Sequence, residues 1–170
     1  MSNKIYGDDG DDIFNILQGG SNTIDGGTGT NTVTGTVGTN TTINVIGANS
    51  GSVSLTKGVE QVVNINGIDY TMSTESTTAT VIYSINDSGQ ITFSMSSNQA
   101  IIRGDLNKKH NVSIKAGITF YGGNKGDIID AHGATIYLGS GNNTLKAFGT
   151  TIYGSSGNDT VSICLLYTSP

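Results

Sequence analysis

Tryptophan is absent from the 170 residues, proline and cysteine occur once each, and only 6% of positions are aromatic. Side chains of that kind fill the cores of large globular domains, so a conventional core of that type is excluded. A single cysteine excludes an internal disulfide and a multi-thiolate metal site. No apolar run reaches the roughly 18 residues that a membrane-spanning helix needs. The start, Met1-Ser2-Asn3-Lys4, lacks the apolar stretch of a secretory signal peptide, so export is expected to use another route. Cationic residues are few as well. Eight Lys and Arg face 13 Asp and Glu, for a net charge of -5, which removes the electrostatic case for nucleic acid or an anionic lipid surface. Cations are the better-matched partners.

What the chain does have is glycine, 25 residues of it, with many Asn, Thr and Ser. That composition alone would suit a disordered linker, but the 35% of hydrophobic residues recur at regular spacing, which points to an ordered repeat. The acids are nearly all Asp, and Asp8, Asp9, Asp11, Asp12 and Asp25 crowd the first 25 positions, a density that calls for a counterion or a solvated surface. Cys164 and Pro170 both fall in the final stretch Cys164-Leu-Leu-Tyr-Thr-Ser-Pro170, where the repeat stops. Residues 163–170 are therefore expected to be a non-native read-through tail and are set aside from fold reasoning.

Self-similarity is clearest over 115–162. Lys115-Ala-Gly-Ile-Thr-Phe-Tyr121, Ala131-His-Gly-Ala-Thr-Ile-Tyr137 and Ala147-Phe-Gly-Thr-Thr-Ile-Tyr153 are one seven-residue unit. Each is followed by a nine-residue unit: Gly122-Gly-Asn-Lys-Gly-Asp-Ile-Ile-Asp130, Leu138-Gly-Ser-Gly-Asn-Asn-Thr-Leu-Lys146 and Gly154-Ser-Ser-Gly-Asn-Asp-Thr-Val-Ser162. The period is 16 residues. Phe120, Ile136 and Ile152 stand between a Thr and a Tyr in every copy, the two-residue alternation of a strand with one apolar face. A second short strand carries Ile129, Leu145 and Val161. Each coil thus has two strands, a long polar turn and a tight turn on Gly117, Gly133 or Gly149.

The first 36 residues repeat the long unit less evenly, as Gly7-Asp-Asp-Gly-Asp-Asp-Ile-Phe-Asn15, Leu17-Gln-Gly-Gly-Ser-Asn-Thr-Ile-Asp25 and Gly26-Gly-Thr-Gly-Thr-Asn-Thr-Val-Thr34. Over 37–114 the glycine spacing is lost, although strands are predicted at 42–46, 61–65, 68–72, 78–85 and 91–95. Asn66-Gly67 is a strong hairpin turn and Asn86-Asp87-Ser88-Gly89 another. No helix of useful length is predicted. The expected fold is all-β: parallel β-roll or β-solenoid repeats, a block at 1–36 and another at 115–162, flanking an irregular β-rich segment at 37–114.

The nine-residue units resemble the Gly-Gly-x-Gly-x-Asp-x-apolar-x repeat of the RTX, or haemolysin-type, calcium-binding family. Units 122–130 and 154–162 fit well, and 7–15 fits with Asp8 in place of the second Gly. The resemblance covers residues 4–34 and 115–162. It implies Ca²⁺ held between stacked coils, since a hard cation wants roughly six to eight oxygens, more than one turn supplies. It implies ligands from Gly7, Asp8, Asp9, Gly10, Asp12, Asn22 and Asn31 in the first block. In the second block it implies Gly122, Asn124 and Asp127, then Gly139, Gly141 and Asn143, then Gly154, Ser156 and Asp159. Because alternate units are shortened to seven residues without Asp, one edge is expected to bind calcium and the other none. Asn22, Asn31 and Asn143 stand where the family has Asp, which implies affinity toward about 10⁻⁴ to 10⁻³ M, the range of extracellular modules.

The resemblance further implies an extracellular module of a secreted bacterial protein, exported by type I secretion and folding when it meets calcium, with a structural or adhesive role. Catalysis has little support. There is no His-Glu-x-x-His, no Gly-x-Ser-x-Gly and no phosphate loop, and His110 and His132 read as solvated turn residues. Two other readings stay open. The rows Thr119/Thr135/Thr151 and Tyr121/Tyr137/Tyr153 would suit a surface-recognition or ice-binding solenoid, and the chain would also suit the C-terminal part of a secreted hydrolase whose catalytic domain lies elsewhere. The same Gly-Asn-Asp turns could also close by side-chain hydrogen bonds without metal.

Overall fold

The computed structural model describes residues 2–16, 21–29, 31–35, 42–45 and 50–164. The boundary expected near residue 36 and positions 165–170 of the expected tail lie outside these. All the regular structure described is strand, in chain order β1 (Ser2–Tyr6), β2 (Ile13–Ile16), β3 (Ser21–Asp25), β4 (Thr32–Gly35), β5 (Thr42–Val45), β6 (Ser50–Thr56), β7 (Gln61–Ile65), β8 (Ile68–Ser73) and β9 (Thr78–Ile85). The second half continues with β10 (Ile91–Ser97), β11 (Ala100–Gly104), β12 (Asn111–Ile114), β13 (Ile118–Tyr121), β14 (Ile128–His132), β15 (Thr135–Tyr137), β16 (Thr144–Phe148), β17 (Thr151–Tyr153) and β18 (Thr160–Ile163).

Alternation along these segments decides the architecture. In β13 and β15 the residue between Thr and Tyr, Phe120 or Ile136, is fully buried, while its neighbours face outward. In β14 and β16 the buried residues are Ile129, Ala131, Leu145 and Ala147. Two apolar faces must meet, and they do so between a nine-stranded sheet, β1-β3-β5-β7-β8-β11-β13-β15-β17, and an opposing seven-stranded sheet, β18-β16-β14-β12-β10-β9-β6. The pair β2-β4 is a separate parallel ribbon, with β4 lying against β6. Each buried Ile, Leu or Phe contributes roughly 1.5–3 kcal/mol.

The pairing register gives the coil length. Thr119 pairs Thr135 and Thr135 pairs Thr151, while Thr144 pairs Thr160 in the opposite sheet, all parallel. That is the 16-residue coil read from the repeats. The tight turns sit on Gly117, Gly133 and Gly149 at φ of 85°, 67° and 57°, a left-handed backbone that glycine adopts without strain. In the first block the coil is longer: Lys4 pairs Thr23 and Thr23 pairs Thr42.

The middle segment is built into the same stack. β7 turns back at Asn66-Gly67 into antiparallel β8, and β9 turns back at 86–89 into antiparallel β10. β11 then pairs antiparallel to β8 but parallel to β13, and β10 pairs parallel to β12. One coil, β8 followed by β9, therefore winds backwards between two forward-winding stretches, and both sheets run through it. Its inward residues, Tyr70, Met72, Val81 and Tyr83, are buried in the core, where the Tyr70 ring meets Phe93 edge-on at 5.1 Å.

Four strands, β1, β6, β11 and β12, were not anticipated from the sequence. β6, in Ser-Gly-Ser-Val-Ser-Leu-Thr, carries few apolar residues because Gly51 faces the Tyr83 ring, which occupies the space a side chain would need. β11 and β12 are short and continue the ladders on either side. His110 corrects the expectation of a solvated turn residue. It is fully buried, with Nε2 2.9 Å from the Asp105 carbonyl and Nδ1 3.3 Å from the Tyr70 hydroxyl. His132 is partly exposed and bonds Asp130 at 3.1 Å.

Candidate cation-binding edge

The long turns 122–127, 138–143 and 154–159 stack on one side of the solenoid, between the end of one sheet's strand and the start of the other's. Backbone bonds tie neighbours together: Gly122 N–H donates to Tyr137, Leu138 N–H to Tyr153, and Gly141 N–H to Ser156. Ser156 and Ser140 hydroxyls lie 3.4 Å apart, and Asn124 N–H donates back to Leu106. The approach is close enough that a Cβ on Gly139 would collide with the Gly123 carbonyl. Glycine is needed there because no side chain fits between the turns.

The residues at the sixth position of these turns face inward. Asp127 and Asn143 are each 1% exposed. Their side-chain oxygens accept hydrogen bonds from the backbone of the preceding coil: His110 N–H to Asp127 Oδ1 at 2.9 Å, Asp127 N–H to Asn143 Oδ1 at 2.7 Å and Asn143 N–H to Asp159 Oδ1 at 3.0 Å. Asp127 Oδ2 also accepts from Gly123 N–H at 2.9 Å. Asn143 Nδ2 donates to the carbonyls of Gly139 and Gly141 and to Asp159 Oδ1. These oxygens satisfy N–H groups that the departing strands leave unpaired. His110 fills the corresponding place in the coil before, a position that sequence reasoning missed because its turn, Asp105 to His110, contains no glycine.

Burial, and then the negative field of Asp127, push the Tyr70 phenol well above its ordinary range. The phenol therefore stays protonated beside His110.

At the other end, the turn holding Gly7, Asp8, Asp9, Gly10 and Asp12 stacks on the turn holding Gly26 to Asn31. Gly7 N–H donates to Asp25, Thr28 N–H to Asp8, and the Thr28 hydroxyl to Asp9 Oδ1 at 2.7 Å. Asp12 N–H donates to Asn31 Oδ1 at 3.0 Å, the same inter-coil bond as in the second block. Asp8 has φ of 63° and Gly10 of 132°, so the acidic turn is tightly coiled. Asp12 Oδ2 is inaccessible to solvent and has no hydrogen-bond partner. A Cβ on Gly7 would lie only 2.5 Å from Asp12 Oδ2 and 2.8 Å from the Gly26 carbonyl oxygen, so glycine is what lets these two oxygens approach the turn. Asn22 departs from expectation. It lies within β3, paired with Asn3, because the coils here are offset by 19 residues and Asn31 takes the place opposite Asp12.

On the outer face of the nine-stranded sheet, Tyr121, Tyr137 and Tyr153 stack at centroid spacings of 4.5 and 4.4 Å, nearly parallel, and the Arg103 guanidinium sits 5.1 Å over the free side of Tyr121. Thr119, Thr135 and Thr151 line up beside them.

No family model, curated protein or solved structure matches the chain. Among the described residues no three His, Cys, Asp or Glu side chains converge as a metal cluster. A cation at either set of turns would thus take much of its shell from carbonyl oxygens.

Proposed function

We propose that this chain is a calcium-binding repeat module of a secreted bacterial protein, with a structural or adhesive rather than catalytic role, and that the cation seats between turns 7–12 and 26–31. The observation that carries this reading is Asp12 Oδ2. A carboxylate oxygen shut off from water without a donor costs stability unless a cation or proton meets it. It lies against Gly7 together with the Gly26 carbonyl oxygen, in a turn that also holds Asp8, Asp9 and Asp11. Hard oxygen donors of this kind suit Ca²⁺. The ion would neutralise the acidic turn and bridge two coils, coupling folding of the first block to calcium. Weak binding of this type is useful outside the cell, where calcium is abundant, and the resemblance to type I secreted repeats agrees with that location.

The second block differs, because its sixth-position oxygens are already engaged by backbone N–H groups. It serves as a scaffold that holds its coils without an ion. Thermal melting and circular dichroism of the full chain in chelator and in several millimolar calcium test the reading. Calcium tenfold above its Kd should stabilise by about 1.4 kcal/mol per site, and Asp12→Asn should abolish the gain. Identical melting in both conditions would remove calcium as the ligand.

A further inference from the structure

Arg103 is the only arginine in the chain, and it stands exposed in the middle of the outer sheet face. Among the described residues no carboxylate lies within ion-pair distance of it, and its guanidinium lies over the face of Tyr121. Two hollows meet at this side chain. One, of about 550 Å³, lies toward the tight-turn edge and is lined by Glu60, Ser73, Glu75 and Ile101 as well as Arg103. The other, of about 590 Å³, lies toward the long-turn edge and is lined by Asp105, Leu106, Tyr121, Asn124 and Ser140 as well as Arg103. Both are within the usual range of small-molecule sites, about 300–1,000 Å³. The backward-winding coil creates the arrangement. Ser73 of β8 pairs antiparallel with Ile101 of β11, so the turn carrying Glu75 is brought beside the strand carrying Arg103.

We propose that this groove, running across the nine-stranded sheet with Arg103 at its centre, binds a neutral oligosaccharide. A guanidinium offers several N–H donors in a plane, and carboxylates offer paired acceptors. Lining the same groove, they match the hydroxyls of a sugar, each of which accepts one hydrogen bond and donates another. Asn124 and Ser140 add groups able to do both. Ile101 and the exposed Leu106 supply apolar surface for the C–H faces of the rings. The charge excludes an anionic polymer: Glu60, Glu75 and Asp105 outnumber Arg103 in the groove. Tyr121 and Tyr137, the tyrosines that line the groove, present edges and hydroxyls, since their faces are taken by Arg103 and by neighbouring rings, so polar contacts rather than ring stacking hold the ligand.

Titration of the full chain with maltohexaose, cellohexaose and xylohexaose, and with trigalacturonic acid as the anionic probe, tests this by calorimetry and by amide chemical shifts. The titrations are run in chelator and in calcium, so that the outcome is separate from the cation reading. At least one neutral hexasaccharide should bind and shift residues 73–75 and 101–106. Arg103→Ala and Glu75→Gln should each weaken it about tenfold, the loss of one charged hydrogen bond. Lys146→Ala, on the other sheet, should leave it unchanged. Absence of binding by all three neutral sugars, tighter binding of the galacturonate, or undiminished binding by Arg103→Ala and Glu75→Gln proteins of native circular dichroism would each overturn the proposal.

Discussion

Asn143 donates two hydrogen bonds to a single oxygen of Asp159: its backbone N–H at 3.0 Å and its Nδ2 at 2.9 Å. An amide is the side chain that fits between two aspartate-bearing coils, because it accepts from the Asp127 backbone while donating toward Asp159. Asn at this position is thus matched to its neighbours in the stack.

Asn143→Asp should consequently destabilise the protein at neutral pH by about 2–4 kcal/mol, since a carboxylate would replace the donor to three oxygens. Crowding raises the new carboxyl's pKa in the folded state. Its folded form is then best tolerated at acid pH, below the ordinary Asp value near 4, and the deficit grows as pH rises through the folded value. Urea unfolding of this variant and wild type at pH 4 and pH 7 measures the difference. Rescue by calcium at pH 7 would mean that an ion can enter this block as well.

Asp127→Ala should cost about 1–3 kcal/mol for each of the two backbone N–H groups left without an acceptor, those of His110 and Gly123. Asp127→Asn, which keeps one acceptor oxygen, should fall between alanine and wild type. Hydrogen exchange locates the damage: the amides of His110 and Gly123 should lose protection first.

Tyr83 is buried, its hydroxyl has no hydrogen-bond partner, and burial pushes its phenol pKa upward, as it does for Tyr70. Both groups must stay protonated in the fold. Their contribution is complete below the ordinary phenol value near 10 and is lost as pH climbs above it, because only the unfolded chain releases the protons. The limiting slope from the pair is about 2.7 kcal/mol per pH unit. Tyr83→Phe should halve that slope and leave stability at pH 7 equal or up to about 1 kcal/mol higher. Denaturant melts between pH 8 and pH 11 supply the comparison.

The second block was legible in the sequence because every element of its coil is local. The Thr-Ile-Tyr and Thr-Phe-Tyr triplets give the strand face, and Gly117, Gly133 and Gly149 give the turns. Asn66-Gly67 was equally legible as a hairpin turn. Its consequence was not: the hairpin sets β8 antiparallel beside β7, but that the forward coils resume on its other edge depends on pairing with β11, some 30 residues later. Asn22 shows a similar limit: its unit matches the motif by composition, but inter-coil register places Asn31 in the turn. The inward sixth-position ladder was foreseen only as side-chain closure of turns, because a motif identifies residue types and leaves the direction of each side chain to the fold.

The backward coil also bears on how the chain acquires its structure. Stacks of parallel coils are assembled from distant partners, and each coil closes a loop of 16 residues or more before any ladder forms. The hairpins β7–β8 and β9–β10 need only the two residues 66–67 and the short turn 86–90. Among the described strands they close the shortest loops and so cost the least entropy, and they carry the large buried rings Tyr70, Tyr83 and Phe93. Folding would start at this central seed and grow outward in two directions, as in a one-dimensional array. The acidic first coils would then be the last to lock on one side, leaving their ordering open to control by whatever ion the surroundings supply.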